Sequence, residues 1–455
     1  MNFISSNGRF SEKSLGRAWK GVVFLYQAFA AIVLIWAFIL SVRWVGEPFL
    51  GSFYEHSLVF TDTGAETGAW AFNQVVNSGD QLLGVNGVEV RTSRDVRDII
   101  GNFAPGENIT LTIDFKDEGV RDVGVELQQF PEDGVSIFLL LPFLISIVFL
   151  ALSIWAFGLR RNESSGRAFI MFASSFSIVT STIFNLWTSH EFTVVWTFAC
   201  AMAGGATLAL ALSFPSSPRI LINRPYLRWM GFIVSFALAG MTVPYLFNIE
   251  DPARYIPLWQ NIYYFDVICI FTLLGLNLYY TRYSPSPVVK SQAGNTLIGA
   301  FFAFAPITVY LAIGNILKLD FSPLLFIPVV IFPAVMGYNI MRFRFLRTDN
   351  LARRGVMYVL LTGLVSLGYA LVAAGVGFLF GNALPKNFLA GIFILALALV
   401  LEPLRTRLQN LTDVIFFRGS RVVAEQLEDF SHRLTTASDL NAIGSLLRDQ
   451  IASTL

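Results

Sequence analysis

Gly79–Val90, GDQLLGVNGVEV, alternates apolar and polar positions around an Asn-Gly pair, and it stands between segments too apolar to be anything but membrane spans. A two-residue turn between twisted strands needs positive φ at both centres, and Asn86-Gly87 supplies it at low steric cost. Leu82, Leu83 and Val85 before the turn, and Val88 and Val90 after it, are therefore predicted to pair as strands. The chain is predicted to be an α-helical polytopic membrane protein of about ten spans that carries one small extracytoplasmic α/β domain.

The surroundings of that stretch decide the solvent. Of 455 residues, 55% are hydrophobic and 14% charged, with a mean hydropathy of +0.60, so the bilayer is the medium for most of the chain. A hydrocarbon core of about 30 Å needs roughly 20 apolar residues per helix. Segments 21–43, 135–158, 168–188, 192–214, 229–248, 261–281, 294–316, 321–341, 355–380 and 386–403 meet that need. The first is predicted to remain as an anchor, because its apolar run is too long for a signal peptide and no small-residue cleavage site follows before Arg43.

Cytoplasmic loops hold an excess of Lys and Arg. Arg9, Lys13, Arg17 and Lys20 precede the first span, and the even-numbered connections carry Arg160, Arg161, Arg167, Arg219, Arg224, Arg228, Arg282, Lys290, Arg342, Arg344, Arg347, Arg353 and Arg354. The opposite loops of the block hold only Arg254, Lys318 and Lys386. The expected organisation is a cytoplasmic N-terminus (1–20), a first transmembrane helix (21–43), an extracytoplasmic domain (44–134), a multi-span block (135–403) and cytoplasmic amphipathic helices (404–455). Both termini are expected in the cytoplasm. The net charge of +1 argues neither for nor against nucleic acid; no nucleic-acid partner is expected.

Within 44–134, Asn108–Phe115 (NITLTIDF) alternates as a strand, Pro105-Gly106 and Asp117–Gly119 mark turns, and Ser93 is placed to cap a short helix, Arg94 to Gly101. The pattern GDxLLxVNGxxV followed by a Ser/Thr-capped helix resembles the second half of a PDZ domain, through Gly79, Asp80, Leu82, Leu83, Val85, Asn86, Gly87 and Val90. That resemblance implies capture of a peptide C-terminus as an added strand beside the helix. The glycine-rich carboxylate loop such a domain uses is not obvious here: Gly64–Gly68 contains glycine, but Glu66 would repel a carboxylate.

A PDZ-like module joined to several spans also describes intramembrane zinc proteases. The three histidines, His56, His190 and His432, lie in no HExxH arrangement, so the paired ligands of that chemistry are missing. A serine protease of the rhomboid kind needs a histidine within a span, and no histidine lies within a predicted span here. Cys200 and Cys269 both fall in apolar spans and form no metal motif. No metal, cofactor or catalytic group is expected. Asp266, about five residues or ~8 Å below the outer edge of its span, is a costly intramembrane carboxylate and a candidate pocket residue. Tyr263, Tyr264, Asn185 and His190 are candidates for the same pocket, with Trp187 and Glu191 beside them. Gly204-Gly205 and Gly377 with Gly381 are small-residue faces that let helices approach.

After Pro403, Leu404, Leu408, Leu411 and Ile415 share one helical face, so the last span is predicted to continue as an amphipathic signal-transmission helix. Ser431-His432-Arg433 lacks the acidic residue that follows a phospho-accepting histidine, and no nucleotide-binding boxes follow it. The anchor, PDZ-like module, multi-span block, Arg-rich FRFLRTDN loop and LEPLRTRLQNLTDVIFFR exit helix together resemble the sensory half of bacterial ComP-like sensor histidine kinases, over essentially the whole chain. The resemblance implies a signal receptor, the input part of a two-component system, whose exit helix leads toward a GAF-like output domain. It also implies an extracellular peptide or small apolar ligand, a cytoplasmic output or response-regulator partner, and a homodimer. On this reading the chain sits in a bacterial inner membrane, and it is either a truncated input half or one whose output partner is a separate protein. The rival classes are a transporter or channel, which paired inverted repeats and several buried charges would signal, and a PDZ scaffold of the cell envelope.

Overall fold

In the computed structural model the chain runs α1 (Ser6–Val45), β1 (Pro48–Phe49), β2 (Gln81–Val85), β3 (Val88–Glu89), α2 (Ser93–Ile100), β4 (Asn108–Phe115), β5 (Gly119–Glu126) and β6 (Gln128–Gln129). A π-helical turn (Val135–Leu140) then leads to α3 (Leu141–Arg160), α4 (Ser164–Trp187), α5 (Thr193–Ala211), α6 (Met230–Leu246), α7 (Tyr255–Tyr283), α8 (Pro287–Ile313) and α9 (Ile331–Arg342). The structure describes residues 6–342 apart from 62, 64–69, 71, 73–74, 117, 219–220, 222–223, 248–251, 253 and 315–320; for 6–18, 225–226 and 340–342 it describes the backbone alone. The Gly64–Gly68 loop, the Gly377 and Gly381 face, and the helix bearing Leu404, Leu408, Leu411 and Ile415 lie outside the described residues.

The predicted hairpin is present. Asn86 and Gly87 have φ of 51° and 77°, and β2 pairs antiparallel with β3 through Val85 and Val88. Asn86 also ties the turn to the next strand: its Oδ1 accepts from Thr110 N at 2.8 Å, and its own N donates to Thr110 O at 2.7 Å. Asp80 is buried and holds the entry to β2, accepting from Asn77 N at 2.8 Å and Lys116 N at 3.1 Å. The sheet order is β3-β2-β4-β5, all antiparallel, and β1 pairs with β6 as a separate ribbon that closes the lobe at its base.

The cap of α2 falls one residue earlier than Ser93. Thr92 Oγ1 accepts from Asp95 N at 3.2 Å and Asp95 Oδ2 accepts from Thr92 N at 2.9 Å, a reciprocal capping box that Ser93 could not form because position 96 is Val. Val96 and Ile100 of α2 enter a core with Leu82, Val85, Leu111 and Ile113, the inward positions of the alternating strands.

Among the described residues, seven helices are long and apolar enough to cross a membrane: Trp19–Val45, Glu132–Arg160, Ser164–Trp187, Thr193–Ala211, Leu227–Leu246, Tyr255–Tyr283 and Pro287–Ile313. They answer in order to the first seven predicted spans. The eighth is a shorter apolar stretch, Pro323–Asn339, in which prolines lacking an N–H give 3₁₀ turns at Pro323–Phe326 and Pro328–Val330 before α9 begins. The ninth and tenth lie outside the described residues. Both cysteines are free and buried.

The most enclosed span is α4, whose whole apolar window is buried. It is also rich in hydroxyls, and in an apolar medium each finds an acceptor on a neighbour or on its own preceding turn. Tyr26 meets Ser175 Oγ at 2.8 Å, Ser153 meets Ser174 Oγ at 2.8 Å, Ser146 meets Ser177 Oγ at 2.9 Å, and Gln27 donates to Ser153 Oγ at 2.9 Å. These bonds seat α1 and α3 against α4.

Candidate functional site

The lobe meets the helix ends through the segment Phe53–Leu58. A bridge between Tyr54 and Phe60 and a bond from Glu55 N to Val59 O (2.8 Å) force a tight turn that places Leu58 at φ 64°. Leu58 points into the lobe core, while Tyr54, Glu55 and His56 are left toward the helices.

Hydrogen bonds and ring contacts join the two parts. Tyr54 O accepts from His190 Nε2 at 2.9 Å, and the two rings stack with centroids 5.1 Å apart at 27°. Arg97 of α2 donates from Nη2 to Ser189 O at 2.7 Å. His56 packs among Tyr255 (4.6 Å), Phe247 (5.4 Å) and Trp259 (5.8 Å), at the facing ends of α6 and α7. The lobe therefore touches the α4–α5 turn with Tyr54 and Arg97, and the α6–α7 ends with His56, two positions on from Tyr54. Beneath them, Phe53 stacks on Trp187 at 5.6 Å and 23°, and Trp44 packs edge-on against Phe49, Phe130 and Phe184.

The junction is electrostatically unusual. Burial pushes His190 down to about 3, only partly offset by its bond to the Tyr54 backbone, so it is neutral and its Nε2 carries the proton. Burial likewise takes His56 down to about 4; neither ring nitrogen makes a hydrogen bond of ordinary geometry, and weak contact with the Leu246 backbone offsets little. Burial raises Glu55 to about 7, its Oε2 shielded and without a partner among the described residues. Glu47 is raised by burial against the opposing pull of Arg97. A cleft lined by Glu47, Leu50, Tyr54, Arg97, Ile100 and Trp187 runs between α2 and the Pro48–Tyr54 segment. Its cavity volume is about 30 Å³, room for about two waters at roughly 10–15 Å³ each.

The structure distributes the predicted pocket residues over four places. Asn185 lies in the α1–α4 seam, donating to Ser41 Oγ at 2.8 Å and to Ala37 O at 3.2 Å; it fastens α1 to α4. His190 is at the junction. Asp266 lies on α7 against Gly204 of α5, where a β-carbon would collide with its Oδ1. Tyr263 shares that seam through an edge-on contact with Trp196 at 6.5 Å, whereas Tyr264 is exposed on the outer face of the bundle. One shared pocket is not formed, because Asn185 on α4 faces α1 whereas Asp266 on α7 faces α5. Tyr54, Glu55, His56 and Arg97 were not singled out from the sequence. The signal that could have found them is FYEHSLVF, 53–60, in which a Glu-His pair interrupts an apolar, aromatic run in a domain otherwise polar on its surface.

No protein-family model matches the chain, and neither a curated protein nor a solved structure matches it.

Proposed function

We propose that this protein is a transmembrane signal receptor in which a signal sensed by the 44–134 lobe is passed to the helices through the α4–α5 turn. The observation that carries this reading is the double bond of the lobe to that turn, Tyr54 to His190 and Arg97 to Ser189. An aqueous domain that merely hung from an anchor would need neither. A ligand that binds the lobe better when these contacts are open would shift the packing of the helices they hold, by as much as its affinities for the two states differ. The resemblance to the sensory half of ComP-like sensor histidine kinases supports an extracytoplasmic lobe, a cytoplasmic output or response-regulator partner and a homodimer. The excess of Arg and Lys in the even-numbered connections supports the same orientation. The hairpin and capped helix support a PDZ-like lobe, with a peptide or small apolar molecule as ligand.

Removal of residues 46–130 tests the class. Cells carrying the chain with and without the lobe are compared for their transcriptional response to conditioned medium of the host. A receptor loses the response with the lobe. A response that survives the deletion overturns the reading, as does solute flux that persists without the lobe, the mark of a transporter.

A further inference from the structure

At the end of α4 away from the lobe, two guanidinium groups converge on one hydroxyl. Arg167 Nη2 donates to Ser164 Oγ at 3.3 Å, and Arg228 Nη1, arriving from the turn before α6, donates to the same oxygen at 3.2 Å. Like charges brought this close repel unless an anion lies between them. Among the described residues no carboxylate forms an ion pair with either. The nearest acid in sequence, Glu163, gives both its oxygens to Arg160 Nη1 at 2.8 Å.

The remaining donors point the same way. Arg167 is anchored by Nη1 bonds to the carbonyls of Arg161 (3.2 Å) and Asn162 (3.0 Å), which fix its plane. The Nε atoms of both Arg167 and Arg228 are shielded from solvent and have no acceptor among the described residues. A guanidinium N–H withdrawn from water without an acceptor is costly, so two at one place mark a site built for a charged acceptor. The pair also stands at the N-terminus of the 24-residue α4, whose cap residue Glu163 makes no side-chain bond to the first-turn amides. Gly166 lets the α3–α4 turn close tightly over Arg160, where a β-carbon would collide with the Arg160 backbone, and this brings the cluster together.

The level of the site identifies the ligand's chemistry. Trp229 follows Arg228 directly and packs on Trp19 of α1 with centroids 4.1 Å apart, and tryptophans of polytopic proteins gather at headgroup depth. We propose that Ser164, Arg167 and Arg228 form a phosphate-binding site at the membrane interface, taking the phosphodiester of an anionic phospholipid headgroup or a free phosphate. The two guanidiniums clamp the phosphate oxygens, and the Ser164 hydroxyl and the first amides of α4 complete the shell. The site requires nothing of the receptor reading, and a failure of either leaves the other standing.

The purified full chain tests this in two arms. In the first, chain extracted from a mixture of phosphatidylglycerol and phosphatidylcholine is examined by native mass spectrometry. The wild type should retain phosphatidylglycerol about tenfold over phosphatidylcholine, whose phosphodiester is the same but whose quaternary ammonium is repelled by the two guanidiniums. In the second, inorganic phosphate is titrated in neutral detergent, and the thermal midpoint should rise only if the site also takes the free ion. Arg167→Gln and Arg228→Gln, singly and together, should abolish whichever response the wild type gives, and the single variants are read if the double does not fold. Arg161→Gln, exposed on the same loop with its guanidinium over Phe157, should change nothing. A wild type indifferent to both lipid and phosphate overturns the proposal, and so do Gln variants that respond as the wild type does.

Discussion

His190 adopts φ 59°, a backbone region that costs a non-glycine residue energy, and it is held there by its N–H bond to Asn185 O at 2.7 Å and its ring bond to Tyr54 O at 2.9 Å. Such strain persists where surrounding contacts over-determine it, and here they include the lobe. The junction's titratable groups then set how docking responds to pH. His56 and His190 fall from 6.5 to about 4 and about 3, so the stability they contribute is present above 6.5 and is lost as pH falls through that window. Glu55 rises from 4.5 to about 7, so its contribution is present below 4.5 and is lost as pH rises through 7. On the acid side the two buried histidines outweigh Glu55 and the less buried Glu47, whose raised carboxyl groups both contribute stability that is lost as pH rises, for Glu55 up to about 7. Docking, followed by the thermal midpoint of the full chain over roughly pH 5 to 8, should be strongest near neutral. Glu55→Gln should steepen the acid loss and flatten the alkaline limb; an unchanged profile would refute the assignment. None of this was legible in the sequence, because Glu55, His56, Arg97 and His190 take their character from neighbours more than 35 positions away. Asn86-Gly87 was legible, because a hairpin turn is decided by its own two residues.

Elements followed from the sequence where periodicity and local chemistry suffice. Strand β4 matches its predicted bounds and the first seven spans appear in order, since apolar length alone decides both existence and type. Seams between helices were legible only in outline. Gly204-Gly205 was recognised as a face for close approach, but its two partners were not. Gly204 receives Asp266 from α7, and Gly205 meets Gly231 of α6, where a β-carbon would lie 2.8 Å from Gly231 O and collide with Ser235 Oγ. Ser235 Oγ spans the same crossing to Ala201 O at 2.6 Å. Gly205→Ala should part α5 from α6 and lower stability by about 1–3 kcal/mol, the usual cost of overpacking. Gly240→Ala, on α6 with open space around it, should leave the unfolding midpoint in detergent within about 0.5 kcal/mol of the wild type. Equal effects from the two would show that the crossing is loose.

At the scale of the molecule, α4 joins the lobe junction at one end to the arginine cluster at the other. Its 24 residues span about 36 Å at ~1.5 Å per residue. The turn at its C-terminal end holds the lobe through Ser189 and His190, and hydroxyl bonds to α1 and α3 line its length. Its N-terminal end carries the Ser164, Arg167 and Arg228 cluster. Hydroxyl bonds between helices are individually weak, about 0.6 kcal/mol on average in membrane proteins, so such a helix can exchange partners without the bundle coming apart. That property suits a conductor of small displacements from one end to the other. Hydrogen exchange along α4 tests it most directly, comparing the wild type with the Arg97→Ala, His190→Ala variant in which the lobe is released. The account predicts faster exchange at both ends of α4, at Leu186–His190 and again at Ser164–Phe169. Exchange that rises at the lobe end and is unchanged at Ser164–Phe169 would contradict it.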